Sequence, residues 1–208
     1  IFEYIYFARL DSKIDNISVY EARIRGGATL AKTYPVDADL VCGVPDSGLA
    51  SAKGYSEESG IPFGLAFHKN SYVGRTFIKP TQKERESSVK IKLSVLESVV
   101  KGKRIVLVDD SIVRGTTISN LITMLRKAGA TEVHVRISSP RSCIHAILEP
   151  IAFQQAVDRK LHSTEEIRQQ IGADSLGYMP IEELQNMVGD LPICRACFDS
   201  HYPMEVPK

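Results

Sequence analysis

Short apolar runs alternate with amphipathic segments through the middle of the chain. Short, continuous apolar runs bounded by polar residues are typical of strands buried on both faces of a parallel sheet. The predicted strands are 39–44, 62–67, 104–108 and 132–137. The predicted helices are 49–59, which ends at Gly60, and 116–128, which ends at Gly129. Because strands and helices alternate, the pattern predicts βαβ units with right-handed crossovers, and therefore an α/β fold whose mostly parallel sheet is flanked by helices.

Two parts of the chain depart from this alternation. Residues 68–86 are basic and lack hydrophobic periodicity, which inside a compact domain is typical of a lid over a functional site or of a disordered segment. From about Pro140 onward the pattern fades into a polar helical tail. Its helical segments are predicted at 164–172 and 181–188. The predicted organisation is therefore one domain at 1–140 and a C-terminal tail at 141–208.

The composition is that of a globular domain with balanced charge. With 208 residues, of which 43% are hydrophobic, the chain can bury a sizeable core without disulfides. Its net charge of +1 removes the usual electrostatic reason to expect a nucleic acid or an anionic membrane as partner. No apolar run approaches the ~20 residues of a membrane helix, and the N-terminus lacks the features of a signal peptide. We therefore expect a cytoplasmic protein, and because the chain begins at Ile1 rather than Met, we expect a piece of a longer one.

The stretch that carries chemistry follows the predicted strand 104–108. Asp109 and Asp110 come directly after this strand, and a loop with Gly and hydroxyl residues leads from them into the helix that begins at Thr116. Ligands of open α/β sheets bind at the carboxyl ends of the strands, and the amides and dipole of a helix start favour an anion. The two carboxylates can accept hydrogen bonds from vicinal hydroxyls, and the helix start beside them can bind a phosphate. A phosphorylated sugar carries both groups. The alternative is a helix cap with two solvated aspartates.

This segment resembles the type I phosphoribosyltransferases, and longer motifs narrow the resemblance to the amidophosphoribosyltransferase family. The motifs that match lie at Glu3–Arg9, Asp11–Ser12, Gly43–Gly48, Lys69–Ile78, Val108–Thr117, Ile171–Tyr178 and Cys194–Phe198. The match spans nearly the whole chain. It implies the type I phosphoribosyltransferase fold.

The resemblance also implies roles for individual residues. Asp109 and Asp110 would bind the ribose hydroxyls of phosphoribosyl pyrophosphate and help to position magnesium. The loop that would approach the pyrophosphate and its metal contains Pro45, Asp46, Ser47 and Gly48, with Ser47 as the neighbour of magnesium. The residues that would cradle the ribose phosphate are Ser111, Ile112, Val113, Arg114, Gly115, Thr116 and Thr117.

The lid at 68–86 corresponds to the loop that closes over the substrate in this family. The lid residues that would contact the substrate are Lys69, Tyr72 and Arg75. The family usually has Arg where this chain has Ser71, which predicts one cationic contact fewer.

The family transfers the phosphoribosyl group to ammonia and thereby starts purine synthesis. It makes this ammonia from glutamine in an N-terminal glutaminase domain that this chain lacks, so the chain alone is expected to use free ammonia. The resemblance further implies inhibition by purine nucleotides and a homotetramer. Two other functions are weighed against this one: a regulator that senses phosphoribosyl pyrophosphate without catalysis, and a salvage transferase that acts on a nucleobase.

The four cysteines divide into one core residue and three candidate ligands. Cys42 lies in an apolar run and is predicted to be a buried thiol. Some family members hold a 4Fe-4S cluster with four thiolates; Cys194 and Cys197 match its last two ligands, and the first would fall just before Ile1. Cys143 lies near the position of the remaining ligand, but its surroundings do not match. The alternatives for the Cys194–Cys197 pair are free thiols or adventitious zinc.

A frame change would explain the mismatch around Cys143. A one-base loss near Pro140, compensated before His162, would regroup the codons of residues 141–150 into the family's Pro-Phe-Met-His-Pro-Cys-Tyr-Phe-Gly-Thr. Residues 141 to about 160 would then be foreign to the fold. The DNA sequence of the gene tests this hypothesis.

Overall fold

The computed structural model describes residues 1–70, 93–112, 115–141, 163–199 and 201–202. The first half of the fold consists of a π-helical turn at Glu3–Phe7, strands β1 (Lys13–Ile14) and β2 (Ile17–Ser18), helix α1 (Val19–Thr33), strand β3 (Leu40–Gly43), helix α2 (Leu49–Ser59) and strand β4 (Phe67–Lys69). The second half consists of β5 (Leu93–Val95), α3 (Glu97–Val100), β6 (Arg104–Asp109), α4 (Thr116–Lys127), β7 (Glu132–Ile137), α5 (Thr164–Ile171), β8 (Ser175–Tyr178), a 3₁₀ helix at Glu182–Met187 and α6 (Ala196–Asp199).

A four-stranded parallel sheet forms the centre of the domain. Its strand order is β3-β6-β7-β8, and Cys42 pairs in register with Leu107. Since side chains alternate between the faces of a strand, the sheet has two apolar faces. Helices α4 and α5 pack against the face that carries Leu107 and Val135, and helices α1 and α2 pack against the face that carries Val106 and Val108. The predicted α/β class with helices flanking a parallel sheet is therefore confirmed.

Local signals position several of these helices. Helix α2 ends at Gly60, which adopts a left-handed conformation with φ of 74°. Helix α5 begins with a capping box, in which the hydroxyl of Ser163 accepts a hydrogen bond from the amide of Glu166 and the side chain of Glu166 accepts one from the amide of Ser163. Both helices lie within two residues of their predicted bounds.

The predicted strand at 62–67 is wrong for most of its length. Phe63 alone of this segment pairs with the central sheet, through a bridge to Val41. Phe67 begins β4, which pairs antiparallel with β5 instead. The amide of Val41 donates to the carbonyl of Pro62 over 2.8 Å, and the amide of Gly64 donates to the carbonyl of Val41 over 2.9 Å. The segment thus contacts the edge of β3 at one residue and leaves it again.

The C-terminal tail contains a strand that the pattern did not predict. Strand β8 pairs with β7 along its whole length, from His134–Ser175 to Ile137–Tyr178. Its sequence Ser-Leu-Gly-Tyr is short and has little apolar character, so its pairing with β7 rather than local propensity makes it a strand. The sheet therefore continues beyond the predicted boundary at residue 140. The segment 142–162, which includes Cys143 and most of the frame-change region, lies outside the described residues.

None of the helices among the described residues is long and apolar enough to cross a membrane.

A cluster of ion pairs lies at the end of the sheet where β3 and β6 begin. The carboxylate of Asp39 accepts hydrogen bonds from the backbone amide of Arg104 over 2.8 Å and from its Nη2 over 2.8 Å. Asp37 pairs with the same guanidinium. The hydrogen bonds from Arg104 lower the pKa of Asp39 to about 2. The cluster joins the entry of β3 to the entry of β6.

We expect Asp39→Asn to destabilise the protein at neutral pH and not at strongly acidic pH. A carboxyl whose pKa is lower in the folded state contributes stability above its ordinary pKa of about 4, and this contribution is lost as the pH falls through the folded value of about 2. Urea unfolding of both proteins between pH 7 and pH 2 measures the difference. Asp37→Asn, at the more exposed partner of Arg104, should have a smaller effect. A difference in unfolding free energy between the wild type and Asp39→Asn that stays constant with pH would contradict this account.

Candidate active site

Two loops meet at the carboxyl ends of the neighbouring strands β3 and β6. Strand β3 leads into residues 44–48, and β6 ends at Asp109, with Asp110 directly after it. The hydroxyl of Ser47 donates a hydrogen bond to Oδ1 of Asp109 over 3.2 Å, and the amide of Val44 donates to the carbonyl of Val108 over 2.9 Å. The structure therefore brings together the predicted pyrophosphate loop, which contains Pro45, Asp46 and Ser47, and the predicted ribose-binding acids.

Gly48 allows this close approach. A Cβ atom at Gly48 would lie 2.2 Å from the carbonyl oxygen of Val108, so any side chain would push the loop away from β6. The amide of Gly48 also donates to the carbonyl of Val44 over 2.9 Å, which closes the turn. The peptide between Pro45 and Asp46 is cis. Helix α2 begins directly afterwards at Leu49, so the loop is held at both ends.

The two acids are buried rather than solvated. Asp109 is 8% exposed and Asp110 is 6% exposed, which excludes the alternative of two solvated aspartates at a helix cap. Burial raises the pKa of Asp109 well above its ordinary value, and the charge of Asp110 raises it further. Burial also raises the pKa of Asp110. Ionised carboxylates in such a place need compensating charge or hydrogen-bond donors.

Hydrogen bonds hold the acids in position. Oδ1 of Asp109 accepts from the amide of Asp110 over 2.9 Å, and Oδ1 of Asp110 accepts from the hydroxyl of Ser111 over 3.0 Å. Beyond the carboxyl end of β7, the amides of Ser138 and Ser139 donate to the carbonyls of Asp109 and Asp110 over 2.9 and 3.0 Å. Ser138 and Ser139 were not among the predicted site residues, although their position after a strand is the signal that could have found them.

The loop after the acids leads to the positive end of helix α4. Gly115 precedes the helix with φ of 72°, and Thr116 and Thr117 are exposed in the first turn. The first amides of a helix lack partners within it and favour an anion. The side chain of Ile112 is buried in the apolar core, so it anchors the loop. Val113 and Arg114 lie outside the described residues.

Of the three lid residues predicted to contact the substrate, Lys69 is the one that the structure describes. It is the last residue of β4, and its ammonium forms an ion pair with the carboxylate of Asp46 in the pyrophosphate loop. Tyr72 and Arg75 lie outside the described residues, as does every lid residue from Ser71 to Glu86. Their roles stay predictions.

Arg23 of helix α1 is a buried cation near the site that sequence analysis missed. Its Nε donates to the carbonyl of Tyr4 over 2.8 Å, and its Nη2 donates to the carbonyl of Ala8 over 2.9 Å. The positive charge of Arg23 acts on Asp110 and partly offsets the rise in the pKa of that carboxyl. No local pattern marks Arg23, because helix α1 itself was not predicted.

The cysteines lie in two separate places. Cys42 is fully buried in β3, and burial raises the pKa of its thiol to about 12, as expected of a core residue. The α-amino group of Ile1 donates to the carbonyl of Cys194 over 3.4 Å, so the start of the chain lies next to the Cys194–Cys197 pair. Within the described parts of the chain, no three His, Cys, Asp or Glu side chains gather to hold a metal ion.

The chain matches known proteins over nearly its whole length. The family model described as "Phosphoribosyl transferase domain" matches residues 15–140. The chain is 52% identical to a protein of Methanocaldococcus jannaschii named amidophosphoribosyltransferase, covering 99% of this chain and 44% of that protein. It is 50% identical to the protein of the same name from Bacillus subtilis, covering 98% of this chain and 44% of that protein. The resemblance noted in the sequence is therefore confirmed.

Two solved structures are similar over the whole chain. One is titled "structure of the allosteric regulatory enzyme of purine biosynthesis", with a TM-score of 0.88 and 48% identity over 100% of this chain and 46% of that one. The other is the glutamine phosphoribosylpyrophosphate amidotransferase from B. subtilis complexed with ADP and GMP, with a TM-score of 0.88 and 49% identity over 100% of this chain and 47% of that one. They confirm the type I phosphoribosyltransferase fold. The chain spans less than half the length of these relatives.

Proposed function

Because the chain belongs to the phosphoribosyl transferase domain family, we propose that it transfers the phosphoribosyl group of phosphoribosyl pyrophosphate to ammonia. The products are phosphoribosylamine and pyrophosphate, and the step is the first of de novo purine biosynthesis. The enzyme is then a pentosyltransferase of the cytoplasm. The observation that carries the proposal is the hydrogen bond from Ser47 to Asp109, since it joins the loop for the leaving group to the acids for the sugar.

The buried acids suit the ribose. Hydroxyl groups of a sugar would donate hydrogen bonds to Asp109 and Asp110, and such donors stabilise carboxylates that burial otherwise disfavours. The amides at the start of α4 suit the phosphate on the other end of the same sugar. One ligand that carries vicinal hydroxyls and a phosphate therefore satisfies both parts of the site.

The charged residues suit the leaving group. As the bond from the anomeric carbon to pyrophosphate breaks, the carbon acquires oxocarbenium character and the pyrophosphate gains negative charge. The ammonium of Lys69 lies beside the loop that contains Ser47, because it pairs with Asp46 of that loop. It would donate to this developing charge. Ammonia attacks from the opposite face, and no covalent intermediate with the protein is needed.

The oxygen donors of the site fit magnesium. Asp109, Asp110 and Ser47 offer carboxylate and hydroxyl oxygens, the ligands that this hard cation prefers. When bound with the substrate, magnesium would neutralise charge on the pyrophosphate. Two carboxylates and one hydroxyl would leave the remaining positions of its octahedral coordination to substrate and water.

The remaining partners are proposed for a protein of the relatives' full length, of which this chain covers 44%. We propose glutamine as the source of ammonia in that protein, purine nucleotides as inhibitors, and a homotetramer as the assembly. B. subtilis amidotransferase in complex with ADP and GMP supports the nucleotides. A 4Fe-4S cluster needs four thiolates, whereas the described residues bring together only Cys194 and Cys197. These residues do not hold such a cluster on their own.

The test compares acceptors. The protein is incubated with phosphoribosyl pyrophosphate and magnesium, and pyrophosphate release is measured with ammonia, adenine, guanine or uracil. We expect release with ammonia above the rate without acceptor, and no increase with a nucleobase. Faster release with a nucleobase would favour a salvage transferase. Tight binding of phosphoribosyl pyrophosphate without any release would favour a regulator.

A further inference from the structure

The ion pair between Asp46 and Lys69 joins two residues expected to meet the same ligand. Asp46 lies in the loop at 44–48, next to the Ser47 that contacts Asp109. Lys69 ends β4, which is paired with β5 and does not belong to the central sheet. The side chain of Lys69 is 34% exposed and that of Asp46 is 72% exposed. The pair is therefore open to solvent and to an incoming ligand.

The contact has a consequence for anion binding. While the carboxylate of Asp46 holds the ammonium of Lys69, an oxyanion that enters the loop has to compete for that cation. Exposed ion pairs contribute little free energy. Replacing the carboxylate of Asp46 by an incoming oxyanion at Lys69 therefore costs little free energy. A diphosphate carries more negative charge than a carboxylate, and it is therefore the stronger competitor for Lys69.

We propose that Asp46 and Lys69 form a latch in the ligand-free site, which the diphosphoryl group of the substrate opens by replacing Asp46 as the partner of Lys69. This inference rests on the proposed function and deepens it. Asp46 is in this account a positioning residue, because it acts on the ligand through Lys69. The latch keeps the ammonium of Lys69 beside the loop, and only an anion with more charge than a carboxylate competes well for it.

Direct repulsion is the main competing explanation. A carboxylate at position 46 would repel an anion in the loop even if it never touched Lys69. The two accounts differ in one respect: repulsion acts whether or not Lys69 is present, whereas the latch needs Lys69. A double-mutant cycle separates them.

The experiment measures the affinity of inorganic diphosphate by calorimetry in metal-free buffer at low ionic strength. Asp46→Asn keeps the shape of the side chain and removes its charge, so we expect diphosphate to bind about fivefold more tightly. Lys69→Met should weaken binding about tenfold, since it removes a charge-assisted hydrogen bond. The double variant should bind like Lys69→Met alone. Asp46→Glu, which restores the charge, should bind like the wild type.

Several results would overturn the latch. An equal gain from Asp46→Asn with and without Lys69 would mean direct repulsion. Unchanged or weaker binding by Asp46→Asn, or unchanged binding by Lys69→Met, would mean that the pair is an ordinary surface contact. Thermal unfolding of each variant checks that the fold is retained; both positions are at the surface, so we expect midpoints close to that of the wild type.

The latch and the proposed function fail in different ways. If the wild-type protein releases pyrophosphate with ammonia and Asp46→Asn does not bind diphosphate more tightly, only the latch is wrong. If the wild-type protein neither binds diphosphate nor releases pyrophosphate from phosphoribosyl pyrophosphate, both are wrong.

Discussion

Asp109→Asn is expected to make the protein more stable and to weaken its binding of phosphoribosyl pyrophosphate about 10- to 100-fold. The amide oxygen of Asn can still accept from Ser47 and from the amide of Asp110, the two donors to Oδ1 of Asp109. The negative charge is lost, however, and hydrogen bonds to a charged group contribute about 1.5 to 3 kcal/mol. Isothermal titration with the substrate and magnesium measures the loss of affinity.

The gain in stability has a defined pH dependence. Burial raises the pKa of Asp109 in the folded protein, so the folded state favours the protonated acid. The cost of ionisation therefore appears as the pH rises above the ordinary carboxyl pKa of about 4 and is complete once the pH exceeds the raised folded value. The unfolding midpoint of Asp109→Asn should accordingly exceed that of the wild type at neutral pH, and the two should converge near pH 4. A rise of about 3 °C corresponds to about 1 kcal/mol in a domain of this size.

Asp39→Asn is the matched control, because it makes the same change at the opposite end of the same strand pair. Asp39 is held by Arg104, and its pKa is lowered rather than raised. This variant should lose stability at neutral pH and keep its affinity for phosphoribosyl pyrophosphate. If Asp109→Asn instead lost stability and retained its affinity, Asp109 would be a structural residue and the proposed site would be wrong.

The acids could be predicted from sequence because their signal is local. A continuous apolar strand followed at once by Asp109 and Asp110, and then by a glycine-containing helix start, occupies a single short stretch of chain. The end of helix α2 and the start of helix α4 are equally local, since Gly60 and Gly115 have positive φ. In each case neighbours in sequence determine the conformation.

The rest of the site depends on residues that are distant in sequence. Arg23 contacts the carbonyl of Tyr4, 19 residues away, and Lys69 meets Asp46 across 23 residues. Strand β8 exists because β7 offers it a partner. Such contacts follow from the packing of elements and leave no periodic trace in the sequence.

Helix α1 is the largest element that the pattern did not predict, and its glycines explain why. Gly26 and Gly27 lie in its middle, where glycine lowers helix propensity by about 1 kcal/mol per residue. A Cβ atom at Gly27 would lie 1.8 Å from the carbonyl oxygen of Ser51, and one at Gly54 would lie 1.9 Å from that of Ile24. The two helices therefore pack backbone against backbone, and the low propensity of α1 is the cost of that packing.

Gly27→Ala is consequently expected to destabilise the protein by more than about 3 kcal/mol, despite the better helix propensity of alanine. Gly26→Ala is the matched control: its Cβ atom would meet the Cε of Met187 at 3.2 Å, and this flexible side chain can move aside. The control should range from neutral to about 1 kcal/mol more stable. Urea unfolding measures both, and equal effects would contradict the close packing of α1 on α2.

Because α2 begins directly after the loop at 44–48, a displaced α2 also moves Ser47 away from Asp109. Any folded fraction of Gly27→Ala should therefore bind phosphoribosyl pyrophosphate more weakly than Gly26→Ala does.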